Sequence, residues 1–116
     1  MTDDQFLVRL RDCTLPPSEF DHAGHLRLAA ICLRRQGLPD AINDACAIIG
    51  GYAASLGAAD KFHWTVTQAL MRLMYAHGAP PGDARALLAR HYSPALLASD
   101  RARAGFVAPD LAPLPA

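Results

Sequence analysis

PDAINDACAIIGGYAASLG, residues 39–57, decides the fold class. Pro39 stands where a helix tolerates proline best, at the first helical position, because the missing N–H has no partner there anyway. Ile42, Ala45, Cys46, Ile49, Tyr52, Ala53 and Leu56 then recur three and four residues apart, the spacing of one face of an α-helix. Gly57 ends the run. Gly50 and Gly51 interrupt it at a cost of about 0.8–1 kcal/mol each relative to alanine, so the pair predicts close approach of a neighbouring helix, or else a kink or local break.

Outward from this helix the chain reads as more of the same. Thr2, Asp3 and Asp4 open a first helix carrying Phe6, Leu7 and Leu10, which Pro16 and Pro17 are expected to end. A second helix spans His22 to Gln36, with Leu26, Ala29, Ala30 and Leu33 on one side and Gly37 as its stop. A fourth runs from about Phe62 to His77, where Val66, Leu70, Leu73 and Met74 keep the helical period through the β-prone stretch Trp64–Thr67, and Gly78 stops it. Ala79-Pro80-Pro81-Gly82 is a loop, and Asp83 caps a fifth helix to about His91. Ser93-Pro94 starts a short helix over Ala95–Ala98, and Ser99 caps one more turn before Gly105. Residues 106–116, rich in proline, cannot be helical and read as an extended C-terminal tail, either packed along the bundle or frayed from it. No stretch alternates with period two. The expected architecture is all-α: one small helical bundle of about five main helices, forming a single domain over residues 1–116.

Composition sets limits on function. Eleven basic and eleven acidic residues in 116 give a formal charge of zero, without the basic stripe that a nucleic-acid phosphate backbone demands. No apolar run reaches the roughly 18 residues of a membrane span. The start, MTDDQFLVRLRD, is acidic where a secretory signal is basic, so a cytoplasmic location is expected. Cys13, Cys32 and Cys46 contain no C-x-x-C pair, which argues against a disulfide framework or cysteine zinc site. Cys32 and Cys46 read as small core hydrophobes, whereas Cys13 lies beside the Thr14–Pro17 break.

Histidine supplies the candidate chemistry. His22 and His25, three apart at the start of the second helix, share a face, and His63 with Thr67 repeats the arrangement at the start of the fourth. Neutral imidazoles are common ligands of zinc, iron, nickel and copper, so His22, His25 and His63 form a candidate site for a divalent transition metal, completed by a carboxylate or water. Without metal, the same three histidines are candidate general acids or bases, with Arg27, Lys61 and Thr67 as candidate substrate-binding residues for a small anionic molecule. The bland alternative makes the histidines helix caps, with Asp21 and Asp60 capping their own helices and Arg27, Arg34 and Arg35 lying on a solvated face. His77 and His91 fall near helix C-termini, where the dipole favours them. Trp64 and Tyr75 read as core. G-x-G-x-x-G, G-x-x-x-x-G-K-[ST] and G-x-S-x-G are all absent from the sequence.

Three motifs add a resemblance. Phe20-Asp21-His22-Ala23-Gly24-His25-Leu26-Arg27-Leu28-Ala29, Lys61-Phe62-His63-Trp64-Thr65-Val66-Thr67, and the run from His91-Tyr92-Ser93 to Val107-Ala108-Pro109-Asp110-Leu111 occur in this order. The chain resembles an uncharacterised family of small bacterial all-helical proteins bearing F-x-H-x-x-H-[LV]-R-L-A, K-[YF]-H-x-T-x-T, Y-S and V-x-P-D motifs. The resemblance implies a small helical fold. It marks His22, His25, Arg27, His63, Thr65 and Thr67 as signature positions and implies no activity.

Three functional classes follow from these readings: a metal-binding helical protein capable of metal-assisted chemistry on a small molecule, a metal-free acid–base enzyme, and a non-catalytic interaction module. The last is favoured by small size and by 23 alanines, whose thin side chains allow close helix packing and association into a homo-oligomer.

Overall fold

The computed structural model describes residues 1–58, 62–77 and 83–115, and of His22 the backbone alone. Asp60, Lys61, Gly78 and the loop at 79–82 lie outside the described residues. Among those described there are seven α-helices and no strand, and the chain divides into two compact units, Met1–Phe62 and His63–Ala116. No described helix is long and apolar enough to cross a membrane.

The first unit holds α1 (Asp3–Arg11), a 3-10 turn (Pro17–Glu19), α2 (His22–Arg35) and α3 (Leu38–Ser55). Thr2 and Gln5 form a capping box on α1, each side chain meeting the other residue's backbone N–H. The helix stops before the two prolines expected to end it. Its stop is a Schellman turn: Cys13 N–H donates to Leu10 O at 3.2 Å and Thr14 N–H to Arg9 O at 2.8 Å, with Cys13 held at φ 60°. α3 ends the same way, with Gly57 at φ 69° donating to Ala54 O and Ala58 donating to Ala53 O. Two helices thus use one device, in one case with a residue built for the left-handed region and in the other with a cysteine.

α3 packs against both α1 and α2. Its buried face is Ala41, Ile42, Ala45, Cys46, Ile48, Ile49 and Tyr52, whereas Leu56, assigned to that face by its spacing, is exposed. Leu56 already belongs to the terminating turn, where the helical period no longer directs side chains. Leu10, Leu28 and Ile31 complete the core. The glycine pair of α3 makes neither a break nor a close approach. The helix continues through both, a β-carbon on Gly50 would touch only the Phe62 ring at ordinary distance, and one on Gly51 would meet nothing. Gly24 of α2 is the tight one: a β-carbon there would lie 3.1 Å from Glu19 O and 3.1 Å from the Phe20 ring.

The second unit holds α4 (Trp64–His77), α5 (Ala84–Ala89), α6 (Pro94–Leu97) and α7 (Asp100–Ala104), followed by a non-helical segment. Asp83, Ser93 and Ser99 cap the last three helices, each accepting from the backbone N–H three residues on. Ala69, Leu73, Leu88 and Tyr92 form a buried cluster against which Val66, Leu70, Leu96, Val107 and Leu114 pack. Of the two readings of the tail, packed or frayed, the segment after α7 takes the packed one, and it bends at Asp110–Ala112 rather than running straight. Tyr75, read as core, is exposed.

Gly51→Ala is expected to stabilise the protein by about 0.5–1 kcal/mol, because an open, exposed helical position gains alanine's propensity without a clash. Gly57→Ala is expected to destabilise it by about 1 kcal/mol, and Cys13→Gly to stabilise it by a similar amount, through the cost of left-handed backbone in non-glycine residues. Urea unfolding of the three variants tests all three signs.

Candidate functional site

The polar signature residues of the second unit meet at the start of α4. His63 caps the helix: Nδ1 accepts from Val66 N–H at 3.1 Å, and its carbonyl accepts the first helical bond from Thr67 N–H at 3.1 Å. With Nδ1 an acceptor, Nε2 carries the hydrogen and donates to Leu97 O at 2.7 Å, joining α4 to α6. Thr67 Oγ1 donates to the His63 carbonyl at 3.0 Å. Both ring nitrogens of His63 are therefore committed to backbone, and in this arrangement neither presents a lone pair to a metal or a substrate proton.

Thr65 is fully buried. Its hydroxyl donates to Gly105 O at 2.8 Å and accepts from Val107 N–H at 3.1 Å, binding the segment after α7 to the first turn of α4. The Tyr92 hydroxyl donates to Val107 O at 2.8 Å, and burial pushes this phenol above its ordinary value. His91 lies beyond the end of α5 and donates from Nδ1 to Ala112 O at 3.0 Å, a contact that the helix dipole does not account for. Its carbonyl accepts from Leu111 N–H. Asp110 closes the set, with its carboxylate accepting from Ser93 N–H at 2.8 Å and Ser93 Oγ at 2.6 Å. These two bonds from Ser93, the hydroxyl's first, hold the Asp110 carboxyl below the usual aspartate range.

In the first unit, Asp21 caps α2 by accepting from Gly24 N–H at 3.0 Å. His25 lies in the same turn with its ring 4.1 Å from that of Phe20, which also meets Tyr52 edge-on at 5.2 Å. The Tyr52 hydroxyl donates to Leu15 O. Arg27, proposed to hold an anion, donates to Met1 O at 2.9 Å and Asp3 Oδ1 at 3.2 Å, with its guanidinium 4.6 Å from the centre of the Phe6 ring. Asp3 also receives Arg34, and Asp4 receives Arg35. The arginine face of α2 is thus matched to the acidic first turn of α1, not merely solvated.

The structure assigns His22 and His25 to the first unit and His63 to the second. Among the described residues there is no group of three or more His, Cys, Asp or Glu side chains able to hold a metal ion. Lys61 lies outside those residues. Cys32 and Cys46 are buried as expected, and burial pushes both thiols up to about 11. A cavity of about 290 Å³ beside α1 and α3 is lined by Leu10, Arg11, Cys13, Asp44, Gly51 and Tyr52, and its two charged groups pair with each other at 3.3 Å. That volume stands at the lower edge of ligand pockets, which begin at roughly 300 Å³.

Ser93, Asp110, Tyr92 and His91 were not among the residues to which the sequence assigned a site. Their signal was present in the pairing of a Tyr-Ser motif with a later V-x-P-D motif, two patterns whose partners are each other. The chain matches no protein-family model, no curated protein and no solved structure.

His63→Ala is expected to cost about 1–2 kcal/mol in thermal or urea unfolding through loss of the cap and of the bond to Leu97, with His63→Asn recovering the capping part. The Asp110 carboxyl is expected to titrate below the ordinary aspartate value of about 3.9. A depressed folded-state pKa contributes stability above the unfolded value, and that contribution is lost as pH falls through the folded one. Carboxyl carbon shifts followed by NMR check this, with Ser93→Ala moving the midpoint upward.

Proposed function

We propose that this protein is a non-catalytic helical interaction module. The observation that supports it best is the division between polar and apolar side chains. His63, Thr65, Thr67, Tyr92, Ser93 and Asp110 hold the second unit to itself, and Arg27 ties α2 to the α1 region. Meanwhile Val8, Leu56, Tyr75, Phe106 and Leu111 are 40–58% exposed. Single exposed apolar residues are ordinary, but here they accompany polar residues, His63, Thr65, Thr67 and Tyr92, whose hydrogen bonds are spent within their own unit, and this favours association through the exterior over chemistry at those residues. In the acid–base reading, His63 would have to break its cap and Arg27 its pairing with Asp3 before either met a substrate.

A second reading keeps the metal. His22 and His25 stand three apart in the first turn of α2, a spacing that puts two imidazoles on one face for zinc, iron, nickel or copper. This reading draws on two ligands from the protein, with His63 serving as a helix cap. A cytoplasmic location accords with both readings.

Sedimentation velocity from micromolar to near-millimolar protein separates them. The interaction reading expects concentration-dependent association that is unchanged in His22→Ala/His25→Ala. A chain that stays monomeric throughout and takes up one equivalent of zinc or nickel, lost in the double variant, overturns it in favour of the metal site.

A further inference from the structure

Among the described residues, Arg72 Nε is the one buried side-chain nitrogen or oxygen without a hydrogen-bond partner. Arg72 is half-buried on α4, and its two terminal nitrogens, which are not buried, make no hydrogen bond or ion pair with the described residues either. A buried donor left unmet is costly, more so on a charged group, and native chains keep few of them. The guanidinium lies 5.2 Å from the centre of the Phe106 ring. That ring covers a face of the guanidinium and leaves its in-plane N–H groups unused.

The first unit carries the same arrangement completed. Arg27, also half-buried, lies 4.6 Å from the centre of the Phe6 ring and donates to a carboxylate oxygen of Asp3 at 3.2 Å. The second unit supplies no such carboxylate to Arg72. Residues 63–116 hold five arginines against three aspartates, an excess of two positive charges. Asp83 is spent on Ala86 N–H and Asp110 on Ser93, while Asp100 opens α7. The Phe106 ring is nevertheless held in place, because the Thr65 hydroxyl bonds the backbone on both sides of it, at Gly105 and at Val107. Tyr75 stands one turn after Arg72 on the same face of α4 and is exposed, as Phe106 is. Gln68, one turn before on that face, is half-buried, and its amide makes no hydrogen bond with the described residues. Arginine flanked by aromatic rings is the composition that concentrates binding energy at protein interfaces.

We propose that Arg72, with Gln68, Tyr75 and Phe106 around it, is a docking site for an acidic segment of a partner protein, in which the guanidinium takes one aspartate or glutamate carboxylate and the two rings take its apolar neighbours. The inference deepens the interaction reading and rests on it. The occupant follows from charge. One guanidinium balances one carboxylate, and two parallel N–H···O bonds from the terminal nitrogens match its two oxygens. Burial of Nε lowers the effective dielectric around the cation, so a carboxylate is held more strongly here than at the exposed Arg85, Arg90, Arg101 or Arg103. A free carboxylate meets the fork alone, whereas a polypeptide also covers Tyr75 and Phe106 and removes their apolar surface from water.

Peptide titration of the full chain, followed by NMR of nitrogen-15-labelled protein, tests it. The probes are the acetylated and amidated tripeptides Leu-Asp-Leu and Phe-Glu-Phe, with Leu-Asn-Leu, Phe-Gln-Phe and sodium acetate as controls. The proposal expects the Arg72 Nε–H and the backbone amides of Tyr75 and Phe106 to shift saturably with both acidic peptides, which bind at least about tenfold more tightly than the amide peptides or acetate. Arg72→Met abolishes the shifts of the two backbone amides, and Arg90→Gln leaves them unchanged. Arg72→Met also keeps an unbranched apolar stem against Phe106 while removing the unmet donor, so it unfolds at an equal or higher urea concentration. Arg72→Gln takes its place should it lack native helical circular dichroism. Equal response to acidic and amide peptides, a response that survives Arg72→Met, or no saturable shift by about 10 mM peptide overturns the site. Acetate binding as tightly as the acidic peptides overturns the partner segment as its occupant. Self-association in sedimentation velocity without any peptide response overturns the Arg72 site and leaves the interaction reading standing.

Discussion

The Thr65 hydroxyl is the contact on which the second unit depends. It sits in the first turn of α4, where backbone N–H groups lack helical partners, and it has no water to bond with because the residue is fully buried. A buried hydroxyl without partners costs about 1–3 kcal/mol, so its placement demands both a donor and an acceptor nearby. Gly105 and Val107 supply them. Once those two residues lie against α4, Val107 O falls within reach of the Tyr92 hydroxyl, and the chain beyond runs past His91 and Ser93. One satisfied hydroxyl thereby brings a helix-free, proline-rich segment into a fixed course.

The first unit is organised by a different constraint, the shape of its chain reversals. Gly24 allows the 3-10 turn to lie against α2, with Glu19 O and Phe20 as close as a glycine permits. Phe20 then joins Phe6, His25 and Tyr52 in one ring cluster. Around this apolar centre the acidic start of α1 meets the arginines of α2, pairs that are partly or largely exposed and contribute modestly to stability. Their effect is one of register, since Asp3 binding two arginines favours one approach of α1 to α2 over its alternatives.

Read together, the two units place conspicuous polar residues in structural service. A histidine whose two nitrogens both meet backbone is a joint between helices, and a serine–aspartate pair fastens the segment after α7 to the start of α6. These polar groups act as fasteners within their own units, and that use is what the proposed interaction role rests on.

Much of the fold is legible in the sequence because helix signals are local. The apolar period from Ile42 to Tyr52, the capping residues Thr2, Asp21, Asp83, Ser93 and Ser99, and the proline-rich character of the final segment all act within a few residues of themselves, and each does what its chemistry implied. What the sequence left open were relations across long separations. Gly50 and Gly51 admit no close neighbour, Thr65 meets Gly105 across 40 residues, and His63 reaches Leu97 across 34 residues. The amino-acid order by itself determined an all-helical chain, its helix starts and its apolar faces, because backbone hydrogen bonding and side-chain periodicity are short-range. Only the tertiary structure decided which polar atoms meet, because a hydrogen bond needs its two groups within about 3 Å, and nothing in local spacing specifies that distance between residues that folding alone brings together.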